Sequence, residues 1–208
     1  ALGLEHPFDT PGANGSTSDP PFLTGTEDST EWTVMSYTDS PAQYYLKYSP
    51  LDIAALQYLY GPSNSAKAGN DTYMLWETLP NFIWDGGGTD TLDAQNLTQG
   101  ATIYLAPGHW GYIGTTKADT ITSAGQITVN FGTAIENLLG TLFDDTLSGN
   151  DLGNSIEGNL GNDCLWGGVG NDTLDGGVGT DIAKWDFDSA QYRLVFNSNA
   201  CLVTDTKG

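Results

Sequence analysis

Five nine-residue copies follow one another without insertion between Gly140 and Lys184: GTLFDDTLS, GNDLGNSIE, GNLGNDCLW, GGVGNDTLD and GGVGTDIAK. The residues in them that could do chemistry stand sixth: Asp145, Asn154, Asp163, Asp172 and Asp181. Around them lie glycines at positions one, two and four, among them Gly158, Gly161, Gly167, Gly168, Gly170, Gly176, Gly177 and Gly179. Glycine passes through φ > 0 at no steric cost and lets backbone carbonyls approach one another. Carboxylate and carbonyl oxygens converging in this way suit a hard cation, and calcium takes about six to eight of them.

These oxygens need elements to hold them. The eighth residue of every copy is apolar (Leu147, Ile156, Leu165, Leu174, Ala183), so the last three residues read as a short strand with that side chain turned inward. If two copies make one turn of a coil, copies two apart share an edge. Asp145 then stacks on Asp163 and Asp163 on Asp181, with Asn154 on Asp172 along the other edge. Phe143 and Leu152 replace glycine at position four of the first two copies, so the later copies should hold calcium better. The pattern is that of the calcium-binding repeat of RTX proteins and predicts a parallel β-roll.

Composition agrees with a cation requirement. Twenty-six acidic residues against six basic ones give a formal charge of −20. Such a chain repels itself, which argues against nucleic acid and anionic membrane as partners and for bound cations. No run approaches the ~18 apolar residues of a membrane span, and no signal peptide is visible. Cys164 stands seventh in its copy and is expected to face outward, so two free thiols are the plainer reading and a bridge to Cys201 the alternative.

The amino-terminal part carries a different pattern. Gly3-x-x-His6 resembles the second half of the His-Glu-x-x-His-x-x-Gly-x-x-His zinc motif, and Met35-Ser36-Tyr37 resembles the Met-turn that follows it in metzincins. Ser49 to Gly61 reads as a helix in its own right, with Ser49 as N-cap, Pro50 in the first turn, Asp52 completing a capping box, Gly61 as C-cap and Pro62 as stop. These features, in this order and ahead of the nonapeptides, resemble the serralysins, bacterial secreted zinc endopeptidases with an RTX β-roll behind the catalytic domain.

That resemblance implies roles for single residues. His6 would be the third zinc ligand, reached because Gly3 turns the chain back toward the metal. Tyr37 would be an additional zinc ligand that releases the metal for catalysis, and Met35 the apolar floor beneath it. Asp85, Gly87, Gly88 and Asp90, in an isolated copy of the repeat half, would be calcium ligands together with Glu136 ahead of the roll; Asp71 is a weaker candidate. The His-Glu-x-x-His half would lie just before Ala1, so this chain by itself is expected to be inactive. Its partners would be a protein or peptide substrate in the complete enzyme and the amino-terminal portion that precedes it. Export by a type I route, with folding where calcium is abundant, is the expected setting.

The expected architecture is mainly β, divided into residues 1–62, the carboxyl-terminal remnant of a metzincin domain with one helix and the Met-turn, and 63–208, a parallel β-roll and β-sandwich. Residues 101–105 and 126–131 alternate as strands, as do 192–196 and 201–204, which should cap the roll. His109 beside Trp110 reads as structural. The alternative function is a non-catalytic calcium-binding module or a stabilising, peptide-associating piece, since the same coil serves many proteins.

Overall fold

The computed structural model describes residues 67–118 and 120–184, positions 55, 56, 60, 61, 63 and 65, and the backbone of 192–197 and 200–205. His6, Gly3, Met35 and Tyr37 lie outside the described residues. Of the helix expected to end at Gly61, Ala55, Leu56 and Tyr60 are helical, and Gly61 follows at φ 79°, the left-handed conformation that a helix C-cap uses.

Fourteen strands are described: β1 Thr72–Met74, β2 Asn81–Ile83, β3 Thr91–Asp93, β4 Ala101–Tyr104, β5 Trp110–Ile113, β6 Gln126–Val129, β7 Asn137–Leu139, β8 Thr146–Ser148, β9 Ser155–Glu157, β10 Cys164–Trp166, β11 Thr173–Asp175, β12 Ile182–Lys184, β13 Tyr192–Asn197 and β14 Ala200–Asp205. They form two facing sheets and a separate hairpin. One sheet runs β1-β3-β7-β9-β11, parallel throughout; the other runs β12-β10-β8-β4-β5-β6-β2. From β7 to β12 successive strands alternate between the sheets, which is the winding of a roll.

The register fixes its pitch. Leu147 pairs with Leu165 and Leu165 with Ala183 in one sheet, while Leu138 pairs with Ile156 and Ile156 with Leu174 in the other. Each step spans two nonapeptides, as the spacing of the sixth residues predicts. In the three-residue strands of the repeat the apolar side chain turned inward is the eighth. Leu138, Leu147, Ile156 and Leu165 are buried and join Leu92, Ile103, Ile127 and Ile135 in a single core cluster. Burial then fades along the coil. Leu174 is only partly buried and Ala183 is exposed, so no described residue covers the last turn.

Residues 94–132 interrupt the winding and still belong to it. β4 adds in parallel to β8, and β5 turns back antiparallel between β4 and β6. The strands expected at 101–105 and 126–131 are present; β5, which lacks clean alternation, is one that periodicity did not reveal. His109 stacks at 5.6 Å on Tyr104, in keeping with a structural role. The carboxyl-terminal strands form the β13–β14 antiparallel hairpin, with Leu194 opposite Val203.

Because the core is one side chain deep, truncating an eighth residue should be felt in full. Leu147→Ala is expected to cost about 2–5 kcal/mol in chemical denaturation with calcium present. Val178→Ala, at a side chain 69% exposed, should stay within about 0.5 kcal/mol.

Candidate calcium sites

The sixth residues form a ladder along each edge of the roll. Asp145 donates its backbone N–H to Asp163 Oδ1 at 2.8 Å, and Asp163 donates to Asp181 Oδ1 at 3.0 Å. On the other edge Asn154 donates to Asp172 Oδ1 at 2.9 Å. Each link spans the same 18 residues as the strand register. The backbone carbonyls of these residues are used as well: Asp145 O accepts from Cys164 N, Asn154 O from Thr173 N and Asp163 O from Ile182 N. The sequence thus folds locally into a turn whose sixth residue is held on three sides.

The glycines have two distinct tasks. Those at position four bend the chain, with Gly161 at φ 126° and Gly170 at φ 130°. Those at position one are not left-handed, contrary to the expectation of positive φ there; they make room. A Cβ at Gly158 would overlap Asp163 Oδ2 of the same copy. In the first two copies, where Phe143 and Leu152 stand at position four, side chains hold the bend instead. Thr141 Oγ accepts the N–H of Phe143 at 3.0 Å, and Asn150 Oδ1 accepts that of Leu152 at 2.9 Å.

A second group of carboxylates lies where the roll begins. One oxygen from each of Asp71, Asp85 and Asp90 falls within 4.8 Å of the others. Asp85 and Asp90 are fully buried. Asp90 Oδ1 accepts the N–H of Asp71 at 2.8 Å, and its own N–H goes to Glu136 Oε2 at 2.9 Å. Asp85 Oδ1 accepts from Gly87 N at 2.6 Å, while Oδ2 accepts from the Tyr73 hydroxyl. Burial, followed by that bond to Asp85, pushes the Tyr73 hydroxyl above its usual range, so it remains a donor. Lys67 reaches Tyr73 Oη at 3.4 Å and Trp84 O at 3.3 Å. Asp71, a weaker candidate from sequence, thus sits with the stronger ones.

Among the described residues four buried side-chain oxygens have no hydrogen-bond partner: Gln126 Oε1, Thr128 Oγ1 and two carboxylate oxygens. Asp90 Oδ2 and Asp163 Oδ2 are buried and accept no hydrogen bond. Buried acceptors without donors cost about 1–3 kcal/mol each, more when charged. Three carboxylates with oxygens within 4.8 Å of one another, when all are ionised, repel by at least roughly 3 kcal/mol per pair at an effective dielectric of about 20. Protons or cations must cancel that repulsion. Burial raises the carboxyl of Asp163 to about 6 and also lifts Asp90, Asp145 and Asp172 above the ordinary carboxylate range. The donor set, hard oxygens with two orphans pointing at no proton donor, fits calcium.

Where the sequence candidates fall is therefore clear. At the entrance Asp85 lies beside Asp71 and Asp90, and hydrogen bonds join Asp90 to Asp71 and Glu136; along the roll Asp163 stacks on Asp181 and Asn154 on Asp172. Asp145 and Asn154 share the ladders but are satisfied by protein groups. Sequence reading missed a further ladder at position five: Asp144 Oδ1 accepts Asn162 N at 2.7 Å, and Asn162 Oδ1 accepts Thr180 N at 3.0 Å. Its 18-residue spacing was the available signal. Cys164 is a half-buried free thiol.

Two measurements follow from this geometry. Asp163 holds its proton more tightly in the fold than the unfolded value of about 3.9. Protonation of Asp163 therefore favours the calcium-free fold, so the β-type signal that remains in chelator should fall as pH rises from about 4 through 6, and saturating calcium should abolish that dependence. Gly158→Ala forces its methyl against Asp163 Oδ2 and should weaken calcium binding at that copy by at least about tenfold in a calorimetric titration.

Comparison with known proteins bears on whose sites these are. Residues 148–183 match the RTX calcium-binding nonapeptide repeat, in four copies. The chain is 32% identical over 177 residues to serralysin of Proteus mirabilis, covering 74% of this chain and 34% of that protein. It is 33% identical over 181 residues to metalloprotease AprA of Pseudomonas entomophila, covering 74% and 35% respectively. With serralysin C of Dickeya chrysanthemi the identity is 34% over 175 residues, covering 73% of this chain and 33% of the relative. The chain spans about a third of the length of these relatives. By its repeats and by the similarity that extends well beyond them, the chain belongs, over the part it spans, to the serralysin family.

Proposed function

We propose that this chain is part of a secreted zinc endopeptidase that hydrolyses peptide bonds in proteins, and that its roll is folded by calcium. The observation that carries the calcium reading is the pair of buried, unpartnered carboxylate oxygens, Asp90 Oδ2 and Asp163 Oδ2, in two separate stacks of acidic residues. Each calcium ion removes two negative charges from a chain of formal charge −20. Binding free energy at such sites is folding free energy. The roll would stay largely unfolded where calcium is scarce and complete its folding outside the cell, which suits passage through a type I exporter. Among the described residues no helix is long and apolar enough to cross a membrane.

The protease reading is supported by the similarity to metalloproteases over 74% of the chain, far more than the repeats occupy. A bare calcium-binding module would share only the repeats. In that reading His6 and Tyr37 are zinc ligands and Met35 supports them. Zinc, when held by three imidazoles, lowers the pKa of its bound water to about 7 and so supplies a nucleophile. Asp85, Gly87, Gly88, Asp90 and Glu136 hold calcium at the entrance of the roll. Gly158, Gly161 and Asp163, Gly167, Gly168, Gly170 and Asp172, and Gly176, Gly177, Gly179 and Asp181 do so along it.

Chelation should remove most of the β-type circular dichroism of the purified chain, and returned calcium should restore it; a spectrum indifferent to chelator would overturn the calcium reading. In the protein that carries this chain, His6→Ala should lower kcat/KM on casein by more than the ~10–100-fold typical of losing a group that merely supports a metal ligand. Unchanged turnover would remove His6 from the zinc site.

A further inference from the structure

The copy from Gly149 to Glu157 stands between the two orphaned carboxylates and carries an amide, Asn154, at its sixth position. Asn154 Oδ1 accepts the N–H of Asn150 at 2.8 Å. Its Nδ2 donates to two backbone carbonyls of the turn before, Ile135 O at 3.1 Å and Glu136 O at 3.3 Å. Asn150 adds a second amide to the same place, with Nδ2 donating to Ile135 O at 2.8 Å. Both asparagines are buried. Carbonyl oxygens only accept, so the group that faces them must be the donor end of each amide. An aspartate at 154 would set oxygen against oxygen there, an arrangement that requires a proton or a cation between them.

The opposite edge of this turn is closed in a similar way. Asp145 has both oxygens satisfied by protein donors: Oδ1 by Ala101 N at 2.7 Å and Thr141 Oγ at 3.0 Å, Oδ2 by Thr141 N at 2.6 Å. Neither Asp145 nor Asn154 leaves an orphaned atom, whereas Asp90 and Asp163 on either side both do.

We propose that Asn150 and Asn154 form a metal-free rung, in which side-chain amides take the place a calcium ion would otherwise hold. With Asp145 they close one turn of the roll by hydrogen bonds alone and divide the calcium sites into two independent groups, one at Asp71, Asp85, Asp90 and Glu136 and one at residues 158–181. This turn stays formed when calcium is withdrawn. Each new turn of a coil needs a formed neighbour to stack on, and the rung supplies that template for Gly158 to Lys184 when calcium arrives. The proposal rests on the calcium reading above and goes beyond it by stating where calcium does not bind.

The test uses the full chain and Asn154→Asp, with calcium ions per chain counted by calorimetric titration and backbone hydrogen exchange followed in excess chelator. The variant should bind one ion more than the unaltered chain. In chelator the unaltered chain should keep the N–H groups of Asn150 and Ser155 protected at least tenfold over those of Thr173 and Ile182, and the variant should lose that difference until calcium is returned. Equal ion counts in a variant that binds calcium, or equally fast exchange at all four amides of the unaltered chain in chelator, would overturn the rung. Failure of the unaltered chain to bind calcium at all would overturn the reading beneath it, while the exchange measurement would still decide whether the amides alone hold the turn. Should Asn154→Asp not fold, the exchange pattern of the unaltered chain decides by itself.

Discussion

Carboxylates stacked one turn apart repel, and the roll depends on cancelling that repulsion where it arises. The chain does this in two ways. At Asp145 it surrounds the carboxylate with N–H and O–H donors, three in all, which offset part of the cost of burying its charge. At Asp90 and Asp163 it leaves a carboxylate oxygen without a donor, which a proton or a cation must balance, and there we place calcium. One charged residue type, repeated at one spacing, therefore serves both as a structural hydrogen-bond acceptor and as half of a metal site. What surrounds it decides which.

The interior cannot substitute for this balance. Each strand of the roll contributes one inward side chain, and even these are uncovered by the last turn, where Leu174 is partly buried and Ala183 exposed. Parallel coils of this kind are held mainly by stacking on the neighbouring turn. The stacking here is dense: strand ladders, the sixth-position links and the Asp144-Asn162-Thr180 links all run at the same interval. Glycine at position one is part of this density, since a methyl group there would meet the carboxylate that the turn exists to hold. Thus the composition of the repeat follows from packing around an oxygen cage more than from backbone bending alone.

Much of this was legible in the residues. The period of nine, the apolar eighth position and the acidic sixth position gave the two-copy turn, the pairing of Asp145 with Asp163 and of Asn154 with Asp172, and the strand at each copy's end, because each signal is local and repeats five times. The saturation of Asp145 was not legible, since its partner Ala101 lies 44 residues upstream on a strand outside the repeat. By its place in the repeat Asn154 groups with the aspartates as a candidate ligand; only the position of the Ile135 and Glu136 carbonyls shows the use its N–H groups have. The room-making task of Gly158 was hidden for a similar reason, as its close neighbour is a side chain and not a dihedral angle. His6, Met35 and Tyr37 lie outside the described residues, so their roles stand on motif and family alone.

The central claim is that the orphaned carboxylate oxygens mark cation sites while satisfied ones do not. Crystals grown in calcium and measured for its anomalous scattering would test it most directly. The account predicts peaks at about 2.3–2.6 Å from Asp90 Oδ2 and from Asp163 Oδ2, and no peak between Asn154 and the Ile135 carbonyl. Absence of density at either aspartate, or an ion seated on Asn154, would contradict it.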